Sequence, residues 1–156
     1  MAAPRERLAL GLISGTSQDA VDGVLAAFDE QGRLLGLRGQ GSRPYPAELR
    51  SRLLALGFEN QALTLAEYAA CDRAVADAFA ETAEAVLEAA GVRAAAVTVI
   101  GSHGQTVFHE PRRIASSLQL GDPNRLAARL GCPVVADFRR ADIARGGQGA
   151  PLVCAL

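Results

Sequence analysis

The stretch "GLISGTSQDAVDGVLAAF", residues 11–28, places a short polar turn between two apolar segments. Residues 8–14, "LALGLIS", are typical of a buried strand, and residues 20–29, "AVDGVLAAFD", of a second one. A third strand is predicted over residues 32–45, after the turn at Gln31–Gly32. Because tight polar turns join these segments, we expect the chain to begin as an antiparallel set of strands.

Two helices are predicted to follow these strands. The first has Pro46 at its first position and ends at Gly57. The second begins at Thr64, whose hydroxyl can form a capping box with Glu67, and it ends before Gly91. Apolar residues recur along the second helix at helical spacing, which indicates a long amphipathic helix that packs on the sheet.

The second half of the chain alternates further strands and helices. A β-branched run over residues 94–107 leads into a glycine-flanked polar turn, "GSHGQT", at residues 101–106. The remaining predictions are a strand over 116–122, a helix capped by Asp122 and ended by Gly131, a strand over 132–138, and a glycine-rich segment with an apolar tail over 139–156. Strands that alternate with helices in this way predict a mixed α/β domain.

The composition excludes several classes of protein. The chain has 156 residues, of which 49% are hydrophobic and 21% charged, with a net charge of -1 and only 4% aromatic residues. These values fit one globular domain and give no reason to expect nucleic acid or a membrane as a partner. The three cysteines are widely spaced and form no metal-binding pair, so we expect reduced structural thiols in a cytoplasmic protein; they are Cys71, Cys132 and Cys154.

The turn "SGTSQD" is the first candidate site. Gly15 allows a ligand to approach the backbone, and Thr16 and Ser17 offer hydroxyl donors beside successive backbone N–H groups that can bind an anion. Asp19 could hold a metal ion next to that anion. An ordinary hairpin turn would use the same residue types, so both interpretations remain open.

Two further polar segments could contribute to a site. In "GSHGQT", His103 could act as a hydrogen-bonding or acid–base group, although a histidine that caps a turn would have the same sequence. His109 has no metal-binding partner at a suitable spacing and is interpreted as a loop residue. In residues 136–151 the guanidinium groups could bind a carboxylate or phosphate. For Asp142 and Arg145, a surface ion-pair cluster before a mobile loop is the favoured interpretation.

Three blocks of the sequence, in order, resemble a known family. They are "GLISGTSQDAVD", "GSHGQTVFHEP" and "LQLGDPNRLAARLGCPVVADFRRADIARGGQGAPLV". Together they resemble the N-terminal part of the 1,6-anhydro-N-acetylmuramic acid kinases, which are sugar kinases of the hexokinase–actin superfamily. The resemblance implies an actin/hexokinase-like (ribonuclease-H-like) α/β fold, with a mixed sheet and flanking helices. Residues 1–156 would form one lobe of a two-lobe kinase.

The resemblance also implies a reaction and a set of site residues. The family uses ATP and Mg²⁺ to phosphorylate the 6-oxygen of 1,6-anhydro-N-acetylmuramic acid while water opens the anhydro ring, a cytoplasmic step of cell-wall recycling that gives N-acetylmuramic acid 6-phosphate. The complete enzyme is expected to be a homodimer. By similarity, Arg140 contacts the sugar, His103 and Gln105 are further candidates, and Asp19 is a candidate metal ligand. The implied ATP-binding residues are Ser14, Gly15, Thr16, Ser17, Gln18, Asp19, Ala20 and Val21.

The chain departs from the family pattern in four respects. Ala20 stands where the family has glycine, which would be strained at a positive φ. Gln18 replaces an apolar residue, and Phe108 stands where a basic residue is common. The family's catalytic aspartate and second phosphate-binding segment lie beyond Leu156, so we expect the isolated chain to be inactive. The alternatives are a truncated, non-catalytic nucleotide- or sugar-binding module, and a kinase with another acceptor sugar.

Overall fold

A computed structural model of the protein describes residues 6–57 and 62–152. The strands in these ranges are β1 (Arg7–Ser14), β2 (Ala20–Phe28), β3 (Leu34–Pro44), β4 (Val97–Glu110), β5 (Ser116–Leu120) and β6 (Val134–Ala136). The helices are α1 (Ala47–Gly57), α2 (Leu65–Ala89), α3 (Pro123–Leu130) and α4 (Phe138–Ile143), with a 3₁₀ turn at Ala94–Ala96. Cys154 and the end of the apolar tail lie outside the described residues.

The six strands form one mixed sheet in the order β3-β2-β1-β4-β5, and β6 pairs with the first half of β4. β2 is antiparallel to β1 and β3, whereas β1, β4 and β6 run parallel to one another. β5 is antiparallel to β4, so β2 and β5 are the two reversed strands. Along the path β3-β2-β1-β4-β6 only the second strand is reversed, which is the arrangement of a ribonuclease-H-like sheet. The α/β fold with flanking helices is therefore confirmed.

The long helix α2 forms as predicted. The Glu67 backbone N–H donates to Thr64 Oγ1 at 3.2 Å, and the Thr64 backbone N–H donates to Glu67 Oε2 at 2.8 Å, which completes the capping box. Gly91 follows the helix with a φ of 66°. The buried face of α2, with Phe79 fully buried, packs across β2 and β3. The helix therefore covers one face of the sheet.

The other face of the sheet is less covered. Gly11 of β1 is in register with Val24 of β2 and Gly101 of β4, which is in turn in register with Val135 of β6. Phe138 of α4 lies over Gly101. Val24, Val135 and Phe138 are 36%, 50% and 37% exposed. This face therefore presents apolar surface to solvent, apart from the part that α4 covers.

The segment "GSHGQT" is not a turn, contrary to the prediction. β4 continues through it from Val97 to Glu110, because the strand pairs first with β1 and β6 and then with β5. The glycine-flanked pattern marks a bulge instead: Gly104 has a φ of 73°, and a Cβ built there would lie 2.6 Å from the carbonyl oxygen of Leu120.

The predicted strand over residues 132–138 is shorter, and a helix follows it. β6 ends at Ala136, Asp137 adopts a left-handed conformation with a φ of 64°, and α4 begins at Phe138. The start of the predicted glycine-rich segment is thus helical. This six-residue helix has no side-chain hydrogen bond at its N-cap, so it lacks the sequence signal that revealed α2 and α3.

Candidate functional site: a polar turn and an adjacent polar pocket

The turn between β1 and β2 is closed by one backbone hydrogen bond. Gln18 N–H donates to Gly15 O at 3.2 Å, and Gln18 has a φ of 50°. The exposed residues Thr16 and Ser17 occupy the two central positions. Within residues 6–57 and 62–152, neither of their backbone N–H groups donates a hydrogen bond. Two adjacent free donors at the tip of a turn are suited to bind an anion.

The carboxylate of Asp19 lies beside these donors. Ser17 Oγ donates to Asp19 Oδ1 at 2.6 Å. This hydrogen bond lowers the pKa of Asp19, and the backbone N–H groups of Asp19 and Ala20 and the charge of Arg50 lower the pKa further. Asp19 is fully exposed. The turn therefore presents an ionised carboxylate to solvent next to two free N–H groups.

Three other residues of the ATP-binding set implied by the resemblance are buried. Ser14 and Gln18 are 3% and 2% exposed, and Val21 is 1% exposed. These three can reach a nucleotide only through their backbone. Ala20 begins β2 in register with Pro44, and the positive φ expected there falls on Gln18 instead. The methyl group at Ala20 is therefore not strained.

Gln105 supports the turn from behind. The resemblance makes this residue a candidate sugar contact, but its side chain is fully buried. Ser14 Oγ lies 2.6 Å from Gln105 Oε1, and Gln105 Nε2 donates to Gly15 O at 3.3 Å and to Thr106 O at 3.1 Å. The amide is committed to these bonds. It holds the turn at residues 14–19 against β4 and has no polar atom left for a sugar in this arrangement.

A small polar pocket lies where β4, β5 and β6 approach the start of α4. It has a volume of about 120 Å³. Its walls include His103, Gln119, Gly121, Asp137 and Arg140. Because β4 and β6 are parallel and Ser102 is in register with Ala136, α4 starts at the same edge of the sheet as the polar turn at residues 14–19. Open α/β sheets bind ligands at this edge.

His103 has both ring nitrogens occupied. Nδ1 lies 2.9 Å from Gly104 O, and Arg139 Nε donates to Nε2 at 2.9 Å. This arrangement requires a neutral ring with its proton on Nδ1. Burial lowers the pKa of His103, and the charge of Arg139 lowers it further, against the opposing effect of the bond to Gly104 O. In this geometry His103 positions Arg139 and has no ring nitrogen available for acid–base chemistry.

Arg140 is the exposed cation of this pocket. Its Nε donates to Asp137 Oδ1 at 2.7 Å, and its Nη2 lies 2.6 Å from Asp137 Oδ2. The carboxylate raises the pKa of Arg140 and fixes one edge of the guanidinium. The side chain remains 56% exposed. Its free donors can bind an anionic or hydroxyl-rich ligand.

The neighbouring charges organise the loop after α4. Asp142 Oδ2 accepts the Gly149 N–H at 2.8 Å, and Arg139 Nη1 donates to Gly149 O at 2.8 Å. Asp142 is thus not part of a surface ion-pair cluster among the described residues, contrary to the favoured interpretation. Arg145, two residues after the end of α4, donates to Ala141 O of that helix at 2.8 Å. Arg139 is the positioning residue that sequence reasoning did not distinguish from Arg140.

His109 and the cysteines, the remaining residues considered from the sequence, contribute to the fold. His109 lies in β4, not in a loop, and its Nδ1 is 3.0 Å from Ser117 Oγ of β5. Cys71 and Cys132 are buried free thiols, as predicted. Within the described ranges no group of three or more His, Cys, Asp or Glu side chains could hold a metal ion. None of the helices there is long and apolar enough to cross a membrane.

Comparison with known proteins identifies the family. The sequence profile described as "Anhydro-N-acetylmuramic acid kinase" matches residues 7–156. A protein of that name from Idiomarina loihiensis is 48% identical over 148 residues, which cover 94% of this chain and 40% of that protein. The solved structure of YeaZ from Pseudomonas aeruginosa matches with a TM-score of 0.33 at 19% identity, over 90% of this chain and 50% of that one. The chain spans less than half the length of its curated relative, and it belongs to the anhydro-N-acetylmuramic acid kinase family.

Proposed function

We propose that this chain forms the N-terminal lobe of a two-lobe sugar kinase. The complete protein would transfer the terminal phosphoryl group of ATP to the 6-oxygen of 1,6-anhydro-N-acetylmuramic acid while one water molecule adds to C1 and opens the anhydro ring. The products would be ADP and N-acetylmuramic acid 6-phosphate. This assigns the protein to cytoplasmic recycling of peptidoglycan. The family match over residues 7–156 supports the proposal.

The observation that carries the proposal is the polar turn at residues 15–19. Its two free backbone N–H groups, at Thr16 and Ser17, can donate to phosphate oxygens without side-chain movement. The Thr16 hydroxyl is exposed at the same tip. Gln105 and Ser14 hold the turn from behind, so the donors are ordered before a ligand arrives. Preorganised donors of this kind stabilise the charge that develops during phosphoryl transfer.

Asp19 suits a magnesium ion only together with phosphate and water. Mg²⁺ is commonly bound by one or two carboxylates with the remaining positions filled by phosphate oxygens and water. Asp19 supplies one ionised, exposed carboxylate beside the free donors. When bound, Mg·ATP would supply the phosphoryl group and a cation to neutralise its charge. The chain's own contribution is to hold the phosphates at residues 15–19.

Arg140 is the residue we assign to the sugar. Asp137 fixes one edge of its guanidinium, and the other donors face solvent at the pocket. The acceptor sugar carries a carboxylate and hydroxyl groups, which a guanidinium binds with directional hydrogen bonds. His103 is assigned an indirect role, since it holds Arg139 rather than a ligand. The base that activates water is assigned to the part of the family that this chain does not match.

A chimaeric enzyme tests the proposed activity. Residues 7–152 of this chain would replace the corresponding part of the Idiomarina loihiensis relative, and products would be analysed in ¹⁸O-labelled water. The proposal predicts that one ¹⁸O atom enters at C1 and that the phosphate is attached to the 6-oxygen. A chimaera that binds Mg·ATP but phosphorylates another sugar, or no sugar, would contradict the assigned reaction. The second outcome would favour a non-catalytic binding module.

A further inference from the structure

The side chain of Gln18 turns away from the exposed surface of the phosphate-binding turn. Its left-handed backbone, with a φ of 50°, directs the side chain inward, and the residue is 2% exposed. Gln18 Oε1 has no hydrogen-bond partner within the described residues. A buried acceptor without a partner is unfavourable, so another interaction must fix this orientation.

That interaction is the contact between Gln18 and the end of α1. The amide lies against Gly57, the last residue of the helix. A Cβ built on Gly57 would overlap Gln18 Nε2 and would lie 3.4 Å from Gln18 Cδ. Position 57 therefore accepts the amide because it carries no side chain. The side chain of Gln18 therefore lies in direct contact with the end of α1.

The start of α1 is also attached to the turn. Tyr45, two residues before the helix, donates its backbone N–H to Asp19 O at 3.0 Å. The turn is thus connected to α1 at both ends of the helix, through Asp19 at the start and through Gln18 at the end. Gln18 and Asp19 directly follow Thr16 and Ser17, whose backbone N–H groups are the free donors. The position of α1 therefore helps to fix the position of the donors, together with the bonds from Gln105 to Ser14 and Gly15.

We propose that Gln18 is a positioning residue: by seating against Gly57 it makes α1 a brace that holds the phosphate-binding turn in its anion-binding conformation. The inference rests on the proposed function, since it assigns the turn to nucleotide phosphate. It goes beyond that function in coupling the nucleotide site to a helix that contributes no ligand contact.

A double-mutant cycle on the full chain tests the brace. The variants are Gly57→Ala, Gln18→Ala and the double variant, with Ser51→Ala as a control that adds helix propensity at an exposed position of α1. The readouts are the affinity for Mg·ATP and the amide hydrogen exchange of Gln18 and Tyr45, whose N–H groups donate to Gly15 O and Asp19 O of the turn. Gly57→Ala should weaken Mg·ATP binding about fivefold and accelerate exchange in the turn, whereas Ser51→Ala should do neither. In the Gln18→Ala background, Gly57→Ala should have no further effect.

The outcomes separate the brace from the nucleotide assignment. An unchanged exchange rate in the turn of Gly57→Ala would overturn the brace, as would an effect of Gly57→Ala that persists after Gln18→Ala. If no variant and not even the unmodified chain binds Mg·ATP, the proposed function fails, while hydrogen exchange still decides whether Gln18 couples α1 to the turn.

Discussion

The buried amide of Gln105 joins β4 to the phosphate-binding turn. It offers one acceptor to Ser14 and its donors to two backbone carbonyl oxygens, those of Gly15 and Thr106. A residue with these bonds acts on a ligand only through the turn that it holds. Its removal would take three hydrogen bonds from a buried site, although Ser14 Oγ would keep its bond to Ala20 O at 2.7 Å and Gly15 O would keep the Gln18 N–H at 3.2 Å.

Replacement of this amide should destabilise the fold. We expect Gln105→Leu to lower the free energy of unfolding by about 1–3 kcal/mol, because the hydrogen bonds of Gln105 with Ser14 Oγ, Gly15 O and Thr106 O are lost from a buried site. Denaturant unfolding measures the change. Gln148→Leu makes the same substitution at an exposed position and should change stability by less than about 0.5 kcal/mol. Equal effects of the two substitutions would contradict the role of Gln105 as an anchor.

His103 makes stability depend on pH. Its pKa in the folded protein is lowered, chiefly by burial, whereas an unfolded histidine titrates near about 6.5. Between these two values the unfolded chain binds more protons than the folded one, so stability rises with pH in that window. The contribution is complete above about pH 6.5 and is lost as the pH falls towards the folded pKa.

A neutral variant isolates this contribution. The free energy of unfolding should fall more between about pH 7 and pH 5 for the unmodified chain than for His103→Gln, because only the former gains a buried charge beside Arg139. Denaturant titrations at the two pH values give the comparison. The same pH dependence in both proteins would show that His103 titrates as an exposed residue.

At the scale of elements, the bulge in β4 decides how the two halves of the sheet join. β4 pairs with β1 up to Gln105 and with β5 from Gln105 onward. Gly104 precedes this change of partner, with a positive φ and almost no space for a side chain. The bulge thereby turns Gln105 towards the phosphate-binding turn.

Two glycine substitutions separate conformational strain from steric overlap. Gly131 has a φ of 68°, and a Cβ added there would have no atom within 4 Å. Gly131→Ala should therefore lower the free energy of unfolding by about 1–2 kcal/mol, through strain of the left-handed conformation alone. Gly104→Ala must also displace the Leu120 carbonyl and should cost clearly more. Thermal unfolding of both variants measures the difference. A smaller loss at Gly104 than at Gly131 would contradict the close approach of β4 and β5.

Elements with local signals were predictable and elements that depend on distant partners were not. The capping box at Thr64 and Glu67 and the N-cap at Asp122 are local, and both helices form as predicted. The continuation of β4 through Gly101 to Glu110 depends on hydrogen bonds first to β1 and β6 and then to β5, which local sequence does not show. The conformation of Asp137, which starts α4, likewise depends on its tertiary environment.

At the scale of the whole molecule, the polar sites share one edge of the sheet. The phosphate-binding turn follows β1, and Arg140 follows β6, a strand parallel to β1 and β4. The sequence motifs predicted both regions because each follows a strand with small or charged residues. They did not predict which residues can contact a ligand and which only position others. The burial of Gln18 and Gln105 and the pairing of His103 with Arg139 appear only in the folded chain.

An Arg140 variant of the chimaeric enzyme tests whether this residue binds the sugar. Arg140→Ala should raise the KM for the anhydro-sugar or lower kcat by about tenfold, since a charge-assisted contact is lost, while the KM for ATP stays nearly unchanged. Steady-state kinetics with each substrate varied in turn gives the answer. Arg145→Ala, on the exposed side of the loop after α4, serves as the control. An unchanged response to sugar would remove Arg140 from the site.

The most direct test of the central claim is a titration of the ¹⁵N-labelled chain with Mg·ATP, followed through its amide resonances. The account predicts that the Thr16 and Ser17 amides show the largest saturable shifts, because their free N–H groups receive the phosphates. Adenosine, which has no phosphate, should not shift the amide resonances of Thr16 and Ser17. Asp19→Asn should weaken the dependence of ATP binding on magnesium. Saturable shifts elsewhere in the chain, with Thr16 and Ser17 unmoved, would contradict the claim that this turn holds the nucleotide.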